Sequence, residues 1–112
     1  MKKTTVALLS FAIAVIFAGG IFAADDGADL FKTRCAICHG EKGNARTPVA
    51  EKQQLRDLAS ADVQKLTDSE LTAMIGEGGS QKKPAHAFRS KGLSPKEIEL
   101  LVSYIRNLPP TK

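Results

Sequence analysis

Residues 35–39 read Cys-Ala-Ile-Cys-His and hold both cysteines of the 112-residue chain. No other feature limits the possible folds so tightly. On a helix, positions i, i+3 and i+4 share one face. Two thiols at that spacing reach the two vinyl groups of one porphyrin, while the histidine turns its imidazole to the iron; the pattern is that of covalent haem attachment. Cys35 and Cys38 are then the thioether anchors, and His39 is the proximal iron ligand.

Other chemistries use parts of this pattern. A thioredoxin-like redox pair sets Cys-x-x-Cys beside a βαβ unit, and no strand-rich stretch follows the leader. A structural zinc site closes with four ligands, and only His39 and His86 remain to complete one. A disulfide between Cys35 and Cys38 would close a very small loop and stabilise little. Haem is the stronger reading because three further features agree with it.

The first concerns the core. Lys2 and Lys3 precede an uncharged apolar stretch from Thr4 to Ala24, which Asp25 and Asp26 end sharply. This pattern is that of a secretory signal peptide over residues 1–24, cut after Ala23 or Gly20. An uncleaved anchor is the alternative, since the stretch is almost long enough to span a bilayer. Either way the folded part is expected to be exported, to the periplasm or to the outer face of the cytoplasmic membrane. About 88 residues remain, as one domain over residues 25–112 with a thin core. That domain has no Trp, two Phe (Phe31 and Phe88) and one Tyr (Tyr104). A porphyrin stapled through two cysteines would supply the missing apolar bulk. Without Lys2 and Lys3, fourteen Lys and Arg face twelve Asp and Glu, a net charge of about +2. No basic stripe with interleaved aromatics suggests nucleic-acid binding.

The second feature is an all-α pattern with long connections. An acidic opening, Asp25-Asp26-Gly27-Ala28-Asp29, suits the N-terminus of a first helix. That helix carries the motif on its last turn and stops at Gly40. Residues 40–58 read as irregular, with a short helical turn from Ser60 through Lys65. Thr67 and Glu70 form a capping box for a second main helix, with Leu66 and Leu71 placed as a hydrophobic staple. Its apolar positions are Leu71, Met74 and Ile75, and Gly76 is the expected stop. A loop follows through Pro84. Ser94, Pro95 and Glu97 open the last helix in the same way, with Leu93 facing Ile98. Ile98, Leu101, Val102, Ile105 and Leu108 keep helical spacing. Loops this long in a small domain are expected to wrap something.

The third feature is a resemblance. Residues 25–108 resemble the class I c-type cytochromes in their short, bacterial, single-haem form. The motif on the first helix and the closing run Leu93–Leu108 carry the likeness. The resemblance implies three main helices and loops around one covalently attached haem c. It also implies that Gly27 and Phe31 cross the last helix near Tyr104. A proline carbonyl after the motif is expected to accept a hydrogen bond from the proximal imidazole. Pro48 is the candidate, and an ordinary loop proline is the alternative.

The chain departs from the family on the distal side. There the family usually places a methionine just before a proline, and this chain has Lys82-Lys83-Pro84-Ala85-His86. Lys83 stands at the sulfur position. Its amine must lose a proton to bind iron, which costs roughly 4–5 kcal/mol at pH 7 from a reference pKa of about 10.4. His86 needs no such loss at neutral pH, but it lies three residues on, up to about 10 Å of extended chain. A water-bound or open iron is the third option. Met74, the one methionine after the leader, reads as core packing. Without sulfur ligation a lower reduction potential is expected, since Met/His ligation raises it.

Electron transfer between protein redox partners is the expected function, with the chain a monomer and not an enzyme. No residue is placed as a distal acid or base. Lys42, Arg46, Lys82, Lys83, Arg89 and Lys91 offer a possible positive rim for acidic partners; a scatter of solvated charges is the alternative. A haem-based gas or redox sensor with an open sixth position is the second functional class.

Overall fold

In this computed structural model, residues 24–110 are described. All but the last residue of the leader expected over residues 1–24 lies outside them. The described residues form six helices and no strand: α1 (Ala24–Arg34), α2 (Ala36–His39), α3 (Pro48–Gln53), α4 (Ala61–Gln64), α5 (Asp68–Glu77) and α6 (Pro95–Arg106). The all-α expectation holds, with α1, α5 and α6 as the three main helices.

The two capping boxes form as the sequence implies. The Thr67 hydroxyl accepts from the Glu70 amide, and the Glu70 carboxylate accepts from the Thr67 amide. Ser94 and Glu97 repeat the exchange at α6, with Pro95 at the first helical position. Each box satisfies two amides that the helix itself leaves unpaired. Helix α5 runs one residue past Gly76, to Glu77, and Gly78 closes it with φ of 86°.

The apolar stripe of α6 faces inward throughout. Ile98 and Leu101 are fully buried, as is Phe31 of α1. Burying a side chain of this size contributes about 1.5–3 kcal/mol, so these three anchor the core. Helices α1 and α6 cross at Gly27. A Cβ there would lie 2.6 Å from the Leu100 carbonyl oxygen and 3.3 Å from Tyr104 Cβ. Only a glycine lets the backbones approach this closely. One turn on, the Phe31 and Tyr104 rings pack with centroids 4.9 Å apart, a favourable tilted aromatic contact. The crossing expected of Gly27, Phe31 and Tyr104 is therefore present.

Two expectations need correction. The motif does not sit on an unbroken last turn of the first helix, because the chain is interrupted at Cys35 and resumes as α2. Helical bonding nonetheless spans the break, with Cys35 N donating to the Phe31 carbonyl and His39 N to the Cys35 carbonyl. The stretch 40–58 is not wholly irregular either. Thr47 caps α3, its hydroxyl accepting from the Ala50 amide, and Pro48 takes the first position. This is the same grammar as Ser94-Pro95, on a helix too short to show an apolar period.

Candidate functional site

Helices α1, α2, α4, α5 and α6 and the segment after α5 enclose a cavity of about 300 Å³. Cofactor clefts run from about 300 to 1,000 Å³. Phe31, Leu101 and Ile105 line it from the α1–α6 crossing, and Val63, Leu71 and Ile75 from α4 and α5. Cys35, Cys38 and His39 lie on its wall. No disulfide joins the two cysteines. The structure thus brings the three motif residues to one apolar cavity.

Burial acts on the titratable groups of the motif. Burial pushes the Cys35 thiol up to about 11, with Cys38 adding to the shift and Arg34 opposing it. A redox-active pair works through a thiolate of lowered pKa, the opposite direction. Burial also holds the His39 imidazole down at about 4, helped by the nearby His86. The ring is therefore neutral at pH 7, the form that binds a metal.

The site is braced by contacts that the sequence does not advertise. The Thr47 hydroxyl donates to the Cys38 carbonyl at 2.6 Å, so the residue that caps α3 also holds the motif. The Arg106 guanidinium donates to the Asp68 carboxylate and to the Gln64 and Leu66 carbonyls. Gln64 donates in turn to the Leu58 and Ile105 carbonyls. Together they tie the α4 region to α5 and α6 across one side of the cavity. A lone Arg or Gln carries no pattern that foretells such partners.

Pro48 does not play the part expected of it. His39 Nδ1 is buried and has no hydrogen-bond partner. Pro48 begins α3, and no hydrogen bond joins its carbonyl to the imidazole.

On the distal side, both Lys83 and His86 border the cavity. Lys83 is exposed and His86 half-buried. The His86 ring stands opposite His39, with centroids 6.1 Å apart and planes inclined by 17°. Its Nδ1 is also buried without a partner. Burial lowers the His86 pKa, the charges of Lys83 and Lys91 lower it further, and a Met74 backbone contact opposes them. Met74 borders the cavity as well, but its sulfur packs on Gly79, where a Cβ would lie 3.2 Å from Sδ. Met74 is half-buried and stands outside the buried core cluster.

Of the six residues considered for a positive rim, two have structural partners. Arg89 pairs with Glu77 at 2.8 Å. Lys91 donates to the Pro84 and Ala85 carbonyls and lies 5.0 Å above the Phe88 ring. Lys42, Arg46, Lys82 and Lys83 are exposed. Ile37, inside the motif, is 78% exposed, the one large apolar side chain so exposed among the described residues.

The donor set and the apolar lining fit a haem held through Cys35 and Cys38 with His39 on its iron. Comparison with known proteins gives the family. The sequence pattern of the family described as Cytochrome c matches residues 24–109. The solved structure of the KustC0563 c-type cytochrome is similar at 32% identity, with a TM-score of 0.63 over 74% of this chain and 96% of that one. A single-substitution mutant of that protein aligns at 33% identity and a TM-score of 0.62, over 75% and 99% of the two chains. No curated protein matches the chain.

Proposed function

Because this chain belongs to the cytochrome c family, we propose that it is an exported single-haem electron carrier that exchanges electrons with protein partners beyond the cytoplasmic membrane. The family binds covalently attached haem c and serves haem-based electron transfer. The observation that carries the reading is the convergence of Cys35, Cys38 and His39 on one apolar cavity.

The haem supplies the one-electron chemistry, and the chain's residues set its conditions. Cys35 and Cys38 would hold the haem through two thioethers, and His39 would offer a neutral imidazole to its iron. Phe31, Leu71, Ile75, Leu101 and Ile105 keep the site dry and of low dielectric. Burial and axial ligation are among a protein's main levers on haem potential.

Docking to a partner is the remaining requirement. Ile37 offers a small apolar contact within the attachment motif, and Lys42, Arg46, Lys82 and Lys83 offer positive charge. Exposed groups of these kinds suit the weak, short-lived encounters of electron-transfer proteins, steered by an acidic partner. Export is supported by the basic, apolar leader pattern over residues 1–24, read as a cleaved signal. No helix among the described residues is long and apolar enough to cross a membrane.

The test is expression of the full chain with haem-attachment machinery in a Gram-negative host. The expected product is a periplasmic protein, shortened at its N-terminus, that carries one haem mass resistant to acid extraction. It should exchange electrons with an acidic redox protein, faster at low salt than at high salt. A product without covalent haem, or one retained in the cytoplasm, would overturn the reading.

A further inference from the structure

We propose that His86 is the sixth ligand of the haem iron, so that the iron lies between two imidazoles, His39 and His86. This deepens the function proposed above and rests on it.

The first argument is distance. An imidazole nitrogen binds a first-row metal at about 2.0 Å. With about 1.1 Å more from each nitrogen to its ring centre, two rings on opposite sides of one such metal have centroids about 6.2 Å apart. The rings of His39 and His86 are 6.1 Å apart. The two residues come from sequence positions 47 apart and border the same cavity. Each has Nδ1 buried in the protein, which leaves Nε2 as the nitrogen to offer.

The second argument is how the chain presents His86. Gly78 ends α5 at a φ of 86°, and a Cβ there would collide with the Lys83 backbone amide. The Lys83 amide donates to the Gly78 carbonyl, and the His86 amide to the Lys83 carbonyl. Beyond His86, the Phe88 and Arg89 amides donate to the Ile75 and Gly76 carbonyls. Lys91 clasps the carbonyls of Pro84 and Ala85. The segment is thus fastened to α5 on both sides of His86. The three-residue gap that argued against His86 in the sequence disappears, because the chain folds back on itself there.

The third argument removes the competitors. Lys83 is exposed, and its backbone rather than its ammonium is engaged with α5. Met74 borders the cavity with its sulfur beside Gly79, where a Cβ would lie 3.2 Å from Sδ, so Met74→Leu should leave the low-spin spectrum unchanged.

The holoprotein, with covalent haem verified by mass, provides the test. Ferric absorption and electron paramagnetic resonance spectra should show a low-spin iron at neutral pH. His86→Ala should turn the iron high-spin and let the ferrous form bind carbon monoxide, and added imidazole should restore the low-spin spectrum. Lys83→Ala should leave the low-spin spectrum in place. Should His86→Ala fail to accumulate, His86→Met provides the second variant; it should stay low-spin, gain a sulfur-to-iron charge-transfer band and rise in reduction potential. Low-spin iron lost in Lys83→Ala and kept in the His86 variants would assign the site to Lys83. High-spin iron in the unaltered protein would mean an open or water-bound site and would favour gas or redox sensing. Both results overturn the inference while leaving a covalently bound haem, whereas a chain with no covalent haem would overturn the proposed function itself.

Discussion

The α1–α6 crossing and the segment from Gly78 to Gly92 border the same cavity, yet they are built on different principles. The crossing is a packing solution: Gly27 admits the Leu100 backbone, and Phe31, Ile98 and Leu101 are fully buried. The segment is a backbone solution: Gly78, Gly79, Lys82, Ala87 and Gly92 all have positive φ. Non-glycine residues rarely adopt that region, and they persist there only when surrounding structure holds them. Here amide bonds to Ile75, Gly76 and Gly78 do so. The difference teaches that this fold separates two tasks. The crossing sets stability, while the segment chooses what stands opposite His39.

The comparison yields outcomes that rank by size. Replacing Cys35 and Cys38 together by Ser should abolish covalent haem. The thin core should then leave the domain largely unfolded, as judged by far-UV circular dichroism. A well-folded, haem-free domain would show that the crossing is sufficient by itself. Gly27→Val comes next. With the Leu100 carbonyl 2.6 Å from the new Cβ, overpacking should cost about 1–3 kcal/mol or more. It should lower the melting temperature of the holoprotein without altering its ferric spectrum.

Gly78→Ala should show the reverse pattern. A strained left-handed residue costs about 1–2 kcal/mol, but the displaced Lys83 backbone should disturb ligation and mix high-spin iron into the spectrum. Equal spectral effects from the two glycine variants would dissolve the division of tasks. Ser94→Ala should cost about 1 kcal/mol through the lost cap of α6, seen as a lower denaturant midpoint and no spectral change.

The smallest effect concerns pH. The backbone hydrogen bond from Ser94, then that from its side chain, holds the Glu97 carboxyl below its usual value of 4.5. The carboxylate's stabilising contribution is therefore complete above that value and is lost as pH falls through the lowered one. Glu97→Gln should flatten the acid slope of the melting temperature over that range. An unchanged slope would mean that the carboxylate does not contribute.

Much of this was legible in the chain. The motif and both capping boxes follow from local spacing, because they depend on residues within a turn or two, whereas the Gly27–Phe31–Tyr104 crossing was legible only through the resemblance to the family. What escaped depends on long-range partners. The Thr47 bond to Cys38 and the Arg106 cluster join residues that no periodicity links. Pro48 shows the limit of resemblance: its place after the motif suggested a carbonyl for His39, and it instead starts a short helix. His86 is the clearest case. Read along the chain it stands three residues from the family's ligand position, and only the folded segment brings its ring opposite His39.

The electron paramagnetic resonance spectrum of the unaltered ferric holoprotein at neutral pH tests the central claim most directly. Two imidazoles with planes only 17° apart predict a rhombic low-spin signal and no substantial high-spin component. A dominant axial high-spin signal would contradict the account and leave the iron open on its distal side.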